Sequence, residues 1–135
     1  MIGALHISYD EVIGFMKSME GILSHGIDAV ESFVDPNGLY VDVGANVGYF
    51  SYLLFNRIHF TGNAHFFEPI PNLCNMAARL LSNTDYNVSI HNCALGDYDG
   101  TTTILADTGG NPGWNTLIAE AAIGNDKCEV NISRF

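Results

Sequence analysis

Basic side chains are scarce in this chain: five Lys and Arg stand against fifteen Asp and Glu, a formal net charge of −10 over 135 residues. A surface that cannot neutralise a run of phosphates argues against nucleic-acid partners held through the backbone. A cationic small molecule is compatible with the acidity, although net charge alone identifies no ligand. Cysteine is sparse and unpatterned: Cys74, Cys93 and Cys128 are odd in number, widely spaced and form no C-x-x-C. Reduced thiols in a cytoplasmic protein are therefore expected. No window approaches the roughly 20 apolar residues of a membrane helix. The opening MIGALHISYDEV has no basic region ahead of a long apolar run, so no secretory signal is expected. No H-x-x-H and no carboxylate cluster stands at ligand spacing, and no metal is expected.

What is present is a globular composition, 47% apolar and 15% charged, in one domain's length of chain. Ser8 and Glu11 make an S-x-x-E capping box. After it Val12, Ile13, Phe15, Met16, Met19, Ile22 and Leu23 recur at helical spacing, predicting a helix from about Tyr9 to Ser24 with both methionines in the core. A weaker segment from Ile27 to Phe33 stops at the turn DPNG, Asp35 to Gly38. Residues 1–36 thus read as an N-terminal helical segment and 37–135 as the remaining domain. In that domain LYVDVGA, AHFFEP and NVSIHNCAL read as strands, the first apolar enough to be covered on both faces. YFSYLLFNRI and the stretch Asn72 to Leu81 read as the helices between them. Connections this short predict a parallel βαβαβ unit. TTTILAD and KCEVNISRF follow as two further strands, separated by the Gly- and Pro-rich loop GGNPGWNTL.

The stretch VDVGANVGYF carries the chemistry. Gly44 and Gly48 fall beyond the carboxyl end of the first strand, where ligands of βαβ folds sit. Without Cβ atoms they can take positive φ and let a ligand approach the backbone, while the first turn of the following helix offers unpaired N–H groups. The dinucleotide pattern G-x-G-x-x-G is broken by Asn46, and a phosphate loop is absent because no Lys or Arg follows until Arg57. D-x-G-A-N-x-G remains, a turn suited to a ligand without phosphate. Glu68 ends the second strand 20 residues after Gly48, where an acid can accept hydrogen bonds from both ribose hydroxyls; a helix cap or surface carboxylate is the alternative. Asp42 would sit beneath an amino group as its counter-charge, or support the glycine turn, or both. The end of the third strand would meet a base with Ala94 and Leu95, and Cys93 or Asn92 near its edge. A nucleoside with a ribose, no phosphate and an amino-acid tail is S-adenosylmethionine.

VDVGANVGYFS, FFEPIPNLCNMAARLLSN and NVSIHNCALGDYDG, from about Leu39 to Gly100, resemble the FkbM family of S-adenosylmethionine-dependent methyltransferases in order and spacing. The resemblance implies an α/β fold of the Rossmann-like class I methyltransferase kind, here a βαβαβ half with an incomplete sheet. It implies cofactor contacts from Asp42, Gly44, Asn46, Gly48 and Glu68, with Ala94 near the adenine and Pro69, Pro71 and Asn72 shaping the turn into the second helix; Ala45, Pro69 and Cys93 stand beside them as further candidate cofactor contacts. It also implies methylation of a hydroxyl oxygen on a small molecule or sugar. Relatives continue into a further strand ending D-V-E-G, whereas this chain stops at Phe135. The expectation is an N-terminal half whose first strand has an open edge, covered by a C-terminal half or by a second copy. An inactive cofactor-binding or vestigial fragment is the alternative function, and a nucleotide-dependent oxidoreductase a weaker one. His65, His91, Asp97 and Asp107 are candidate bases, and Trp114 and Asn115 candidate acceptor contacts, but no catalytic residue is assigned.

Overall fold

The computed structural model describes residues 8–106 and 126–135. Helix α1 (Tyr9–Ser18) begins with the expected capping box: Glu11 N–H donates to Ser8 Oγ at 3.3 Å, and Ser8 N–H to Glu11 Oε2 at 2.9 Å. The predicted single helix to Ser24 does not form. Ser18 Oγ donates to Phe15 O at 2.6 Å, and Met19 N–H is shared between the carbonyls of Phe15 and Met16. A serine hydroxyl competing for a backbone acceptor bends a helix, and the chain restarts as α2 (Glu20–Val30), followed by one 3-10 turn, Glu31–Phe33. Arg57 ties this segment to the domain, 2.6 Å from Asp28 and 3.0 Å from Glu31.

The DPNG turn closes with Asn37 N–H on Asp35 Oδ1 and Gly38 N–H on Asp35 O. From it run β1 (Leu39–Val43), α3 (Tyr49–Ile58), β2 (Asn63–Phe67), α4 (Pro71–Leu81) and β3 (Asn87–His91). The three strands form one parallel sheet in the order β1-β2-β3, with Asp42 opposite Phe66 and Phe67 opposite His91. Leu54 and Phe55 of α3 and Leu81 of α4 pack with Ala64 and Phe66 of β2, and Phe55 stacks on Phe60 at 4.1 Å. At the base of the sheet the return from α3 passes so close to the DPNG turn that a Cβ on Gly62 would lie 2.0 Å from Gly38 O.

A second sheet holds β4 (Ala94–Gly96), β5 (Gly100–Ala106) and β6 (Asp126–Arg134) in the order β4-β6-β5, with β4 parallel and β5 antiparallel to β6. Ile104 and Val130 of this sheet share a core with Val12 and Ile13 of α1 and with Leu73 and Met76 of α4. NVSIHNCAL is therefore not one strand. It breaks after His91 because the Asn92 amide turns back to the carbonyls of Glu68 (2.9 Å) and Pro69 (3.0 Å), and Ala94 joins the other sheet. Nor is β1 covered on both faces: Leu39, Val41 and Val43 are 69%, 39% and 61% exposed. Among the described residues β1 has β2 as its only neighbour. The loop GGNPGWNTL, with Trp114 and Asn115, and Asp107 lie outside the described residues. No described helix is long and apolar enough to cross a membrane, and no group of three or more described His, Cys, Asp or Glu could hold a metal ion.

Candidate functional site

Beyond Val43 the backbone enters the left-handed region three times in five residues: Gly44 at φ 76°, Asn46 at φ 56° and Gly48 at φ 74°. The two glycines have different reasons to be glycine. A Cβ on Gly48 would stand 3.0 Å from the Phe66 ring, so this residue lets α3 lie close to β2. A Cβ on Gly44 would meet nothing within 4 Å, so its bare face looks into open space.

The turn is held by its own hydrogen bonds. Gly44 N–H and Ala45 N–H donate to Phe67 O at 2.8 and 3.1 Å, and Gly48 N–H donates to Ala45 O at 2.8 Å. Asn46 N–H donates to Glu68 Oε2 at 2.8 Å, and Val47 N–H to Asn46 Oδ1 at 2.7 Å. The first helical bond of α3 runs from Tyr52 N–H to Gly48 O, so the N–H groups of Tyr49, Phe50 and Ser51 stand outside the helical ladder at its N-terminal end.

Glu68 is buried, 5% exposed, with Oε2 on Asn46 N–H and Oε1 on Ile70 N–H at 2.9 Å. It lashes the glycine turn to the start of α4. Burial pushes its carboxyl above the usual range, the two backbone bonds pull it back, and the charge of Asp42 adds to the rise. Asp42 is raised as well, by burial, against a Ser51 hydroxyl bond that lowers it.

A cavity of about 270 Å³ opens over the turn, lined there by Asp42, Gly44, Ala45, Asn46, Val47 and Tyr49. Phe50 and, from the N-terminal helices, Met16 and Leu23 complete its wall. Of the sequence-predicted cofactor residues, the structure gathers Asp42, Gly44, Ala45 and Asn46 in this one hollow. Gly48 lies behind it against Phe66 and Ala77, and Glu68 braces it from the β2 side. Pro69, Cys93 and Ala94 do not line it. Pro69 offers its carbonyl to Asn92, the half-buried Cys93 thiol is pushed up by burial, and Ala94 opens β4.

His65 and His91 project from the sheet face opposite Phe66, with Nδ1 of the first 2.9 Å from Nε2 of the second. Sequence reasoning missed Met16, which it gave to the core, and Leu23, Tyr49 and Phe50 as cavity walls. It also missed Glu20, whose carboxylate accepts the Tyr49 hydroxyl across α2 and α3. Burial, then Glu20, pushes that phenol well above its usual range. Helical spacing marks such residues as inward-facing and cannot tell a packed neighbour from a hollow.

The chain matches no protein-family model, and no curated protein matches it.

Proposed function

We propose that this chain is an S-adenosylmethionine-binding module of a Rossmann-like methyltransferase, acting on a hydroxyl oxygen of a small molecule or sugar. One observation carries the reading: a half-buried carboxylate, Asp42, and the open face of Gly44 share a cavity at the carboxyl end of a parallel strand. The volume, about 270 Å³, suits an amino-acid arm more than a whole nucleoside. Asp42 would meet the ammonium group as counter-ion, and the bare backbone at Gly44 would admit the arm. Val47 and Tyr49 keep the wall apolar beside a cationic sulfonium. Glu68 already accepts two backbone N–H groups, so ribose hydroxyls would use the remaining acceptor positions of the same oxygens. Bound, the cofactor supplies an activated methyl group for in-line displacement by an oxygen nucleophile. The chain's own part is to orient the arm and exclude water.

Calorimetric titration with S-adenosylmethionine tests this. Saturable binding is expected, lost in Asp42→Asn and in Gly44→Val, with circular dichroism confirming that both variants fold. Saturation by NAD and none by S-adenosylmethionine would replace the reading with the oxidoreductase one.

A second reading, cofactor binding without catalysis, is favoured by a separate observation. Apart from Asp42, the only titratable cavity residue among the described residues is Tyr49, and its hydroxyl is committed to Glu20. His65 and His91 are engaged with each other on the other sheet face. Transfer of labelled methyl to any hydroxylated sugar in a panel would reject this second reading.

A further inference from the structure

Behind Asp42 lies a layer of side chains that the glycine motif does not include. Tyr40 and Asp42, two positions apart on β1, project from the same strand face toward α3. There Ser51 is fully buried, its Oγ 2.5 Å from Asp42 Oδ2 and 3.0 Å from Tyr40 Oη. A serine hydroxyl has one proton to give, and a carboxylate can only accept. That proton therefore goes to Oδ2, and the Tyr40 phenol must donate to Ser51 Oγ. The chain is directional, from Tyr40 through Ser51 to Asp42. Among the described residues no other donor reaches the Asp42 carboxylate.

We infer that Ser51 and Tyr40 are positioning residues that commit one Asp42 oxygen to the protein and turn the other to the cavity, making the site selective for ligands with an ammonium group. The inference rests on the cofactor reading above and adds to it the origin of its charge selectivity. An ionised carboxylate half-buried without a donor would either rotate or take up a proton. Ser51 opposes both, since its bond favours the charged form against the desolvation that disfavours it. The other groups facing this carboxylate raise the stakes. Glu68 at the end of β2 is a like charge coupled to it, and Tyr40 is a phenol on its own strand. Tyr49 on α3 shares the cavity and carries Glu20 of α2 with it. Met16 and Leu23, from α1 and α2, bring no charge.

The test compares two nucleosides that differ in the arm. S-adenosylhomocysteine has the amino-acid group, and methylthioadenosine lacks it. Calorimetry on the wild type is expected to give tighter binding of the first, a preference that falls away in acid as Asp42 protonates. Ser51→Ala should weaken S-adenosylhomocysteine by about ten-fold or more, leave methylthioadenosine unchanged, and move the acid midpoint of the preference toward neutrality. Tyr40→Phe should do the same more mildly, and guards against a folding defect in the first variant. Equal weakening of both nucleosides, or an unmoved acid midpoint, would overturn the inference by leaving Ser51 a packing residue. Equal affinity of the wild type for both would also overturn it, together with the counter-ion role of Asp42, while binding of the nucleoside would stand. Binding of neither by the wild type would overturn the two together.

Discussion

Asp42 and Glu68 are both carboxylates whose protonation is favoured by burial, yet replacing them has opposite consequences. A folded-state pKa raised above the unfolded value contributes stability below the unfolded pKa, and that contribution is lost as pH rises through the folded one. Among the described residues Asp42 has a single donor, and burial outweighs it, so at neutral pH its charge works against the fold. Asp42→Asn is therefore expected to raise the thermal midpoint at neutral pH and to flatten its pH dependence, while ammonium binding falls. Melting curves across pH and calorimetry on the same samples check both halves. Glu68 carries the same direction of shift but accepts two backbone N–H groups. In Glu68→Gln one of those donors meets an amide NH₂, an unsatisfied buried group that costs about 1–3 kcal/mol. Denaturant melts at neutral pH should register that loss. The turn around Asp42 was legible because glycine spacing and a preceding acid leave few alternatives. Glu68's double attachment to Asn46 and Ile70 was not, since a sequence states which residue ends a strand but not which backbone groups wait there.

At the scale of elements, the cavity wall takes Met16 from α1 and Leu23 from α2, on either side of the break at Met19. Periodicity runs through the kink undisturbed, so the sequence reads as one helix; Ser18 taking the Phe15 carbonyl is a local competition that pattern does not encode. The capping box, by contrast, is a purely local motif, and it forms as read. Gly14 and Gly21 sit within these helices with open space where a Cβ would go. Gly21→Ala should stabilise the protein by about 0.5–1 kcal/mol. It touches no cavity residue, so chemical denaturation should register the gain with ligand affinity unchanged.

At the scale of the molecule, helices α3 and α4 pack on one face of the parallel sheet, and the exposed Leu39, Val41 and Val43 occupy the other face of its edge strand. The strand has neither Lys nor Pro to discourage pairing. Association that grows with concentration is expected. Val41→Lys should suppress it in light-scattering measurements while leaving the monomer's unfolding free energy within about 0.5 kcal/mol of wild type. The parallel order of β1, β2 and β3 was readable from alternating strands and helices with short connections. The division into two sheets was not, because it turns on where one asparagine amide points.

Gly62 and Gly44 sit near opposite ends of the same ladder and set opposite tolerances there. Where the chain enters β2, a Cβ on Gly62 would collide with the Gly38 carbonyl, and Thr61, Gly62 and Asn63 N–H groups donate to the carbonyls of Pro36 and Gly38, so the strands cannot slide past one another at that end without breaking the DPNG bend. Where β1 leaves the sheet, a vacant ångström-scale allowance faces the hollow. A clasp riveted at the hinge and slack at the jaw should absorb a guest by adjusting its lips alone, so that occupancy leaves the alignment of the strands untouched.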